Sequence, residues 1–263
     1  MTDGSHNFVM LTPPGRGAIA TLVVEGAMAV QIVGQLFLPA SGEPLASQPP
    51  GKISFGRWLS MDGEEVVVCR RSPDRVEIHC HGGVAAPTAI EQSLAKQGCQ
   101  QLEWTAWLRG KHDPITAEAA IALAAARTER TAAILLDQYN GALRRAITQF
   151  DESLRAGDVE SAQAQLAGLI RNATIGRHLI EPWRVVLAGR PNVGKSSLIN
   201  ALVGYRRSLV YDAPGTTRDV VTATTALDGW PVELADTAGL RPSTDPLEFS
   251  GVRIAYEQLA AAD

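Results

Sequence analysis

Residues 185–202 read VVLAGRPNVGKSSLINAL and place the pattern G-x-x-x-x-G-K-S between two apolar runs. The order of strand, glycine-rich loop and helix predicts a loop whose backbone N–H groups cradle phosphates at a helix N-terminus. Gly189 and Gly194 permit the backbone geometry of this loop, and Lys195 is predicted to reach the β- and γ-phosphates. The hydroxyl of Ser196 is predicted to bind Mg²⁺. The stretch therefore predicts a nucleotide-binding α/β unit.

Two further motifs follow this loop in the order that a GTPase requires. PGTTRD at 214–219 offers two hydroxyl groups for a metal ion and the γ-phosphate, although alone it also suits an ordinary turn. DTAG at 236–239 follows the apolar run 232–235, which we interpret as a strand. Asp236 then ends that strand, where it can hold the water shell of Mg²⁺, and the N–H of Gly239 faces the γ-phosphate. Together the three motifs predict a GTPase-type site.

The residue after DTAG is Leu240, whose side chain is apolar. Ras-like enzymes place a glutamine just after this motif, where it orients the attacking water. Because a leucine cannot orient water, another group must do so in this chain.

The composition is typical of a soluble globular protein of about two domains. The chain has 263 residues, of which 45% are hydrophobic and 20% are charged, and its net charge is −4. This charge argues against a nucleic-acid-binding surface over the whole chain, although a local basic patch stays possible. The opening residues are polar, and no apolar run approaches the roughly 18 residues of a membrane span. We therefore expect a cytoplasmic protein with neither a signal peptide nor a membrane span.

Cysteine usage predicts neither a zinc site nor a disulfide framework. The three cysteines, Cys69, Cys80 and Cys99, form no C-x-x-C pair. His79 and His81 would share one face of a strand, but no second cluster of metal ligands accompanies them.

Residues 1–112 alternate short strands and helices and are predicted to form a small α+β domain. Strands are predicted at 18–25, 53–59, 65–70 and 75–80, helices at 31–38 and 86–97, and a proline-rich loop at 39–51. The fold class is therefore α/β, preceded by this α+β domain.

Residues 113–181 are rich in Ala, Leu, Gln and Arg and are predicted to form a helical domain that acts as a spacer. Its clearest period places Leu143, Ile147, Phe150 and Leu154 on one face of a helix. A break at 156–158 precedes a second helix that extends to about residue 180. Residues 182–263 then carry the pattern of a P-loop GTPase domain, which we expect to be incomplete.

The three nucleotide-binding motifs resemble those of the TrmE–Era group of GTPases, and the rest of the chain resembles the MnmE family (also called TrmE). The resemblance is carried by PPGRGAIA at 13–20, VEIHCHGG at 76–83, and GKHD followed by TAEAAIAL at 110–123. It covers nearly the whole chain and implies the domain order of that family. The order is a folate-binding and dimerisation-like domain, a helical domain, and the first half of a Ras-like GTPase domain.

The resemblance implies a GTPase that depends on Mg²⁺, is stimulated by K⁺ and takes part in tRNA modification. It implies a homodimer through the N-terminal domain, with G domains that pair across the dimer. A flavin-dependent MnmG-like partner would help to build a carbon substituent at C5 of wobble uridine. The carbon would come from a folate, 5-formyl-tetrahydrofolate.

The resemblance also implies roles for individual residues. Glu248 matches the catalytic glutamate, although a carboxylate near a helix start is also favoured by the helix dipole alone. Ser196 and Thr217 match the Mg²⁺ ligands, and Asp236 would act on Mg²⁺ through water. The matches to the K⁺ site are Asn192, Tyr211, Ala213 and Thr216. The residues expected to contact GTP are Gly189, Asn192, Val193, Gly194, Lys195, Ser196, Ser197, Tyr211, Asp212, Ala213, Pro214, Gly215, Thr216, Thr217, Asp236, Thr237, Ala238 and Gly239, with Lys195 and Glu248 as the catalytic residues.

The N-terminal domain departs from the family pattern where the resemblance places folate. The family's T-G-E-D before V-E-I is S-P-D-R here, which reduces a Glu-Asp pair to Asp74, and Val23 stands where an arginine is usual. Glu77 and Lys111 still match folate-contacting positions. Because a folate carries an anionic glutamate tail, the loss of a cation should weaken its binding. The sequence therefore supports GTP hydrolysis more strongly than it supports folate binding.

The sequence stops before an N-K-x-D motif or the C-terminal cysteine motif of the family. In a Ras-like sheet strand 1, here 184–188, lies between strands 3 and 4, so we expect an open edge at this strand. We expect the chain to be a truncated form of a longer GTPase that binds phosphates weakly and discriminates little between GTP and ATP. Proteolysis is expected to trim it towards residue 180.

Two other functions stay open at this point. A divergent paralogue would be a regulatory GTP-binding switch without folate or tRNA chemistry, which Val23 and the altered T-G-E-D segment favour. A ribosome-assembly GTPase like Era would share the loop motifs but would not explain PPGRGA or CHGG.

Overall fold

The computed structural model describes residues 6–13, 15, 17–59, 63–188, 193–204, 222–236, 259–260 and 262–263. The chain divides into two compact units, Met1–Lys111 and His112–Asp263. The finer division into three domains stays a prediction.

The first unit is built on a seven-stranded sheet with strand order β3-β4-β5-β6-β2-β1-β7. Its strands are β1 (Asn7–Met10), β2 (Ile19–Glu25), β3 (Phe37–Pro39), β4 (Ile53–Trp58), β5 (Glu65–Ser72), β6 (Arg75–His81) and β7 (Gln100–Leu102). Its helices are α1 (Ala29–Leu36), α2 (Ala85–Lys96) and α3 (Trp104–Lys111). The β1–β7 pair is parallel, and the other described pairs of this sheet are antiparallel. This confirms the mixed α and β content that the sequence predicted.

The period of two along β6 divides this sheet into two chemically different faces. Val76, Ile78 and Cys80 point into the hydrophobic core, to which α1 and α2 contribute buried residues. The intervening residues of β6, among them Glu77 and His79, lie on the opposite face. The opposite face carries a network of charged side chains.

The predicted helix at 31–38 is displaced in the structure. The helix is α1, and the chain then enters β3 at Phe37, which pairs with Trp58 of β4. Gly56 of β4 permits this pairing, because a Cβ there would lie 2.2 Å from the carbonyl oxygen of Leu38. Contacts between residues far apart in sequence thus override the helical period at the end of the segment. The sequence also failed to predict β1, β7 and α3.

Gly82 of the CHGG segment lies against the turn that precedes β2. Its N–H donates to the carbonyl of Ala18 at 2.9 Å. A Cβ on Gly82 would lie 1.8 Å from the carbonyl oxygen of Gly17. The glycine is therefore required by a close approach of two backbones, which joins the PPGRGA and CHGG segments in space.

The second unit begins with helices α4 (Pro114–Ala124), α5 (Glu129–Tyr139), α6 (Ala142–Arg155) and α7 (Val159–Arg177). The carboxylate of Asp113 caps α4, the hydroxyl of Thr128 caps α5, and the carboxylate of Asp158 caps α7. The predicted break at 156–158 is confirmed, since it separates α6 from α7. The predicted face of α6 is less buried than its period suggests, because Leu143, Ile147 and Leu154 are exposed.

The remainder of the second unit has β8 (Trp183–Leu187), α8 (Lys195–Gly204), β9 (Thr222–Leu227) and β10 (Trp230–Asp236). The strands form a sheet of order β8-β10-β9, in which β10 is parallel to β8 and antiparallel to β9. With β8, β9 and β10 as strands 1, 2 and 3 of a Ras-like sheet, strand 3 is a neighbour of strand 1, as predicted. The sequence missed β9, although Asp228-Gly229 is a residue pair that two-residue hairpin turns prefer.

The edge of β8 opposite β10 is contacted by Asp263. The N–H of Asp263 donates to the carbonyl of Arg184 at 3.1 Å, and its carboxylate accepts the N–H of Arg184 at 2.9 Å. The edge predicted to be open is therefore occupied at Arg184. Val185, the next residue of β8, is 41% exposed, so the apolar run is not covered on both faces by the described residues. In the described part of the chain, no helix is long and apolar enough to cross a membrane.

Candidate nucleotide-binding site

The carboxyl ends of β8 and β10 lie side by side. The two strands are parallel, and Asp236 is the register partner of Leu187. Ligands of open α/β sheets bind in the crevice outside the carboxyl ends of the strands. The glycine-rich loop that follows β8 and the DTAG segment that begins at Asp236 therefore start from adjacent points at that edge.

The start of α8 has the backbone that a phosphate-binding loop needs. Gly194 has a φ of +94°, a conformation that favours glycine. Its carbonyl accepts the N–H of Leu198 at 2.9 Å, so the helix begins directly after it. The helix thus directs its N-terminus and its unsatisfied N–H groups towards the preceding loop.

Lys195 is the first residue of α8, and its relative exposure is only 8%. A cation at a helix N-terminus opposes the helix dipole, and burial adds a desolvation cost. A bound polyphosphate would offset these penalties, because it supplies negative charge at the helix N-terminus. The placement of Lys195 therefore supports its predicted role.

Apolar packing holds α8 on the sheet. Ile199 of α8 forms a buried cluster with Val232 and Leu234 of β10, and Leu202 and Val203 pack against that cluster. The helix that presents Lys195 is thus fixed to the strand that ends at Asp236. This small core therefore contributes to the spacing between the start of α8 and the end of β10.

The structure locates only part of the predicted nucleotide site. Val193 is exposed before α8, and Ser196 and Ser197 lie in its first turn. The backbone of Asp236 ends β10. The other predicted GTP and metal residues lie outside the described residues: Gly189, Asn192, Tyr211, Asp212, Ala213, Pro214, Gly215, Thr216, Thr217, Thr237, Ala238, Gly239 and Glu248.

Glu77 and Lys111, the residues matched to folate contacts, belong to one charged network. Glu77 accepts hydrogen bonds from Arg71 at 2.7 Å and from Arg75 at 3.3 Å. Lys111 pairs with Glu25 at 2.8 Å, and the Nε atom of Arg75 lies 3.8 Å from the Glu25 carboxylate. Arg75 and Glu25 therefore connect the two predicted residues.

The indole of Trp107 lies at the centre of this network. Its N–H donates to Glu25 at 3.0 Å, and its ring lies 5.5 Å from the guanidinium of Arg75 and 5.9 Å from the ammonium of Lys111. Sequence reasoning missed Glu25, Arg75 and Trp107. The available signals were the arginine that ends S-P-D-R and the tryptophan in the segment before Lys111.

The network retains polar groups that suit a folate. Glu25 Oε1 and Arg75 Nε are buried and have no hydrogen-bond partner among the described residues. A pterin ring presents donors that a carboxylate accepts, and the glutamate tail presents an anion that suits a cation. Both oxygens of Glu77 accept hydrogen bonds from arginines, whereas Glu25 Oε1 accepts none from the described residues and lies 3.8 Å from Arg75 Nε.

The two departures from the family pattern have clear structural positions. Val23 is fully buried and is the register partner of both Glu77 on β6 and Val9 on β1. Asp74 lies in the turn before β6, where a hydrogen bond from Ser72 holds the pKa of its carboxyl below the ordinary value. The side of Glu77 that faces Val23 is therefore apolar, and its charge is balanced by Arg71 and Arg75.

The His79-Cys80-His81 segment makes ordinary side-chain contacts. His79 lies 3.0 Å from the hydroxyl of Thr21, and His81 lies 2.7 Å from the carboxylate of Glu64. Cys80 points into the core, and burial raises the pKa of its thiol to about 11. Among the described residues, no group of three histidine, cysteine or acidic side chains is arranged to hold a metal ion.

Known proteins match this chain to two different extents. The family described as 50S ribosome-binding GTPase matches residues 184–263. The proteins named tRNA modification GTPase MnmE match far more of the chain. Their identity is 36% over 95% of the chain in Symbiobacterium thermophilum, 35% over 97% in Moorella thermoacetica and 34% over 100% in Geobacillus kaustophilus.

The chain spans 64%, 63% and 66% of the lengths of these three relatives. The ribosome-binding description covers only the segment from β8 onward, whereas the MnmE relatives also match the seven-stranded sheet and the helices. A general GTPase similarity confined to the second unit would not explain that extent. The chain belongs to the MnmE family.

Proposed function

We propose that this protein binds and hydrolyses GTP as part of the modification of tRNA at C5 of the wobble uridine. The observation that carries the nucleotide function is the register pairing of Leu187 with Asp236, beside a helix that begins with buried Lys195. The carboxyl ends of β8 and β10 therefore lie at one sheet edge, which supports a phosphate and metal site there. The GTPase family match to residues 184–263 supports the same function.

The proposed site assigns a distinct task to each group. Lys195 neutralises the β- and γ-phosphates, while Ser196 and Thr217 supply hydroxyl ligands for Mg²⁺ and Asp236 holds its water shell. Glu248 orients the attacking water, which Leu240 cannot do. The K⁺ ligands are Asn192, Tyr211, Ala213 and Thr216.

The tRNA role rests on the match of the whole chain to relatives named tRNA modification GTPases. We propose further that two copies associate through the N-terminal domain and that a flavin-dependent MnmG-like protein is the partner. The network of Glu77 and Lys111, connected by Glu25, Arg75 and Trp107, would hold 5-formyl-tetrahydrofolate. When bound, the folate supplies the carbon, and the protein supplies cations and carboxylates that orient it.

GTP turnover and tRNA modification must both be measured, because a regulatory switch would retain the first and lack the second. The protein is incubated with GTP, Mg²⁺ and K⁺ to follow phosphate release. It is then combined with the flavin-dependent partner, tRNA and the folate to follow modified uridine. Turnover with modification supports the proposal, and turnover without modification supports the switch. No turnover by a chain that includes the complete GTPase domain refutes both.

Calorimetry tests the folate site separately. Lys111→Ala should weaken binding of 5-formyl-tetrahydrofolate, because it removes a cation beside Trp107 and Glu25. Lys52→Ala is a matched control, since Lys52 also pairs with a glutamate, Glu43, in the same unit. Equal folate affinity in parent and Lys111→Ala would show that the network is not the folate site.

A further inference from the structure

The N-terminus of helix α5 contacts the tip of the β9–β10 hairpin, which we define as Asp228, Gly229 and Trp230. The hydroxyl of Thr128 donates to the carbonyl of Gly229 at 2.6 Å. The same oxygen accepts the N–H of Thr131 at 3.2 Å as the cap of α5. The start of the helix and the hairpin tip therefore share one hydroxyl group.

Arg130 makes a second set of contacts with this hairpin tip. Its Nη1 atom donates to the carbonyl of Asp228 at 2.7 Å and to the Asp228 carboxylate at 2.6 Å. Its guanidinium also lies 5.3 Å from the centre of the Trp230 ring. The carboxylate of Asp228 is 92% exposed, so this ion pair is screened by solvent and contributes little. The bonds to the tip carbonyls are therefore the contacts that define its position.

The turn itself is shaped to fit against the helix. Asp228 has a φ of +48° and Gly229 a φ of +76°, as a two-residue hairpin turn of the primed type requires. A Cβ on Gly229 would lie 2.8 Å from Cβ of Arg130. The hairpin and the helix are thus in close contact at the level of the backbone.

The hairpin connects this contact to the candidate nucleotide site. β9 follows the PGTTRD segment, and β10 ends at Asp236. Six register pairs, from Trp230↔Leu227 to Ala235↔Thr222, join the two strands, and β10 is also paired with β8. Because the strands are paired along their length, a contact that holds the tip also restricts the movement of Asp236 at the other end of β10.

We infer that Thr128 and Arg130 are positioning residues for the nucleotide site, because they hold the hairpin whose far end carries Asp236, the residue proposed to hold the water shell of Mg²⁺. The inference rests on the proposed GTP function. Coupling between two sites is reciprocal for binding. Binding of Mg²⁺ and nucleotide should therefore stabilise the contact at the start of α5. Substitutions at the start of α5 should in turn change the Mg²⁺ concentration that nucleotide binding requires.

The test measures the affinity of the full chain for a fluorescent GTP analogue as a function of Mg²⁺ concentration. In Arg130→Ala the Mg²⁺ concentration that gives half of the affinity gain should rise on the order of fivefold. Affinity without Mg²⁺ should stay unchanged, which a general loss of structure would not produce. In Arg130→Lys this Mg²⁺ concentration should rise less, because a lysine can still donate to the Asp228 carbonyl. Arg155→Ala removes an exposed arginine paired with Asp151 and is the matched control.

Hydrogen exchange supplies a measurement that needs no ligand. The amides of residues 222–236 should exchange faster in Arg130→Ala than in the parent and in Arg155→Ala. If Arg130→Ala fails to fold, the Mg²⁺ dependence and the hydrogen exchange are measured on Thr128→Val, which lacks the hydroxyl that reaches Gly229. Unchanged Mg²⁺ dependence and unchanged exchange in a chain that binds the analogue would overturn the inference. No analogue binding by the parent would instead refute the proposed function, and the inference with it.

Discussion

Leu187 and Asp236 are register partners at the ends of two parallel strands. Because parallel strands leave a sheet at the same edge, the glycine-rich loop and the DTAG segment begin next to each other. The two motifs are distant in sequence, and neither is specific enough alone to define a nucleotide site. Their adjacency is the reason to assign them to one bound nucleotide.

We predict that Lys195→Ala weakens binding of a fluorescent GTP analogue in the presence of Mg²⁺. A charge-assisted contact contributes about 1.5–3 kcal/mol, which corresponds to roughly 10- to 150-fold in affinity. Lys96→Ala is the control, because Lys96 is an exposed lysine in the last turn of α2. If Lys195→Ala binds as tightly as Lys96→Ala, the phosphate-contact assignment is wrong.

We predict that Glu248→Ala lowers GTP turnover by about 10²-fold while analogue binding persists, because positioning and proton handling dominate this chemistry. Turnover by the parent should also be faster in K⁺ than in Na⁺, and Asn192→Ala should abolish that difference. Phosphate release in matched K⁺ and Na⁺ buffers measures both effects. Equal rates for the parent and Glu248→Ala would remove Glu248 from the mechanism.

We predict that Gly82→Ala destabilises the N-terminal unit by about 3 kcal/mol, because an added methyl forces two backbones apart. The new Cβ would lie 1.8 Å from the carbonyl oxygen of Gly17. Gly34→Ala is the control, since Gly34 is in α1 and has open space around its Cβ position. Thermal unfolding should show a lower midpoint for Gly82→Ala and an equal or higher midpoint for Gly34→Ala. Equal midpoints would contradict the close approach.

We predict that the contact between α4 and α6 is sensitive to acid. A hydrogen bond from Arg144, with a second from Thr116, lowers the pKa of the Asp113 carboxyl from its ordinary 3.8. A carboxyl with a depressed pKa stabilises the fold above its unfolded-state pKa and loses that effect as pH falls through the folded value. Arg144→Ala should therefore lower the urea midpoint at neutral pH.

The difference in urea midpoint between the parent and Arg144→Ala should shrink as pH falls from about 4 towards about 2. Arg155→Ala is again the control, because its partner Asp151 lies on the same helix and links no second element. A midpoint difference for Arg144→Ala that stays constant over this range would show that the ion pair does not stabilise the fold.

The sequence by itself located the elements that build the candidate nucleotide site. Lys195 follows a glycine with positive φ, and Asp236 ends a strand, as predicted. These features depend on short-range rules: glycine permits the turn, an apolar run forms the strand, and a period of 3.6 residues forms the helix. The family resemblance then identified the chain, because its motifs span both units.

Only the tertiary structure decided which distant residues meet. Glu25 and Arg75 connect Glu77 to Lys111 because β2 and β6 are neighbours and α3 lies against their charged face. Arg130 reaches the hairpin tip over a separation that no local pattern encodes. Such contacts depend on strand order and on the packing of one element against another. Local residue preferences specify the helices and strands, whereas the contacts between distant helices and strands depend on the free energy of the whole fold.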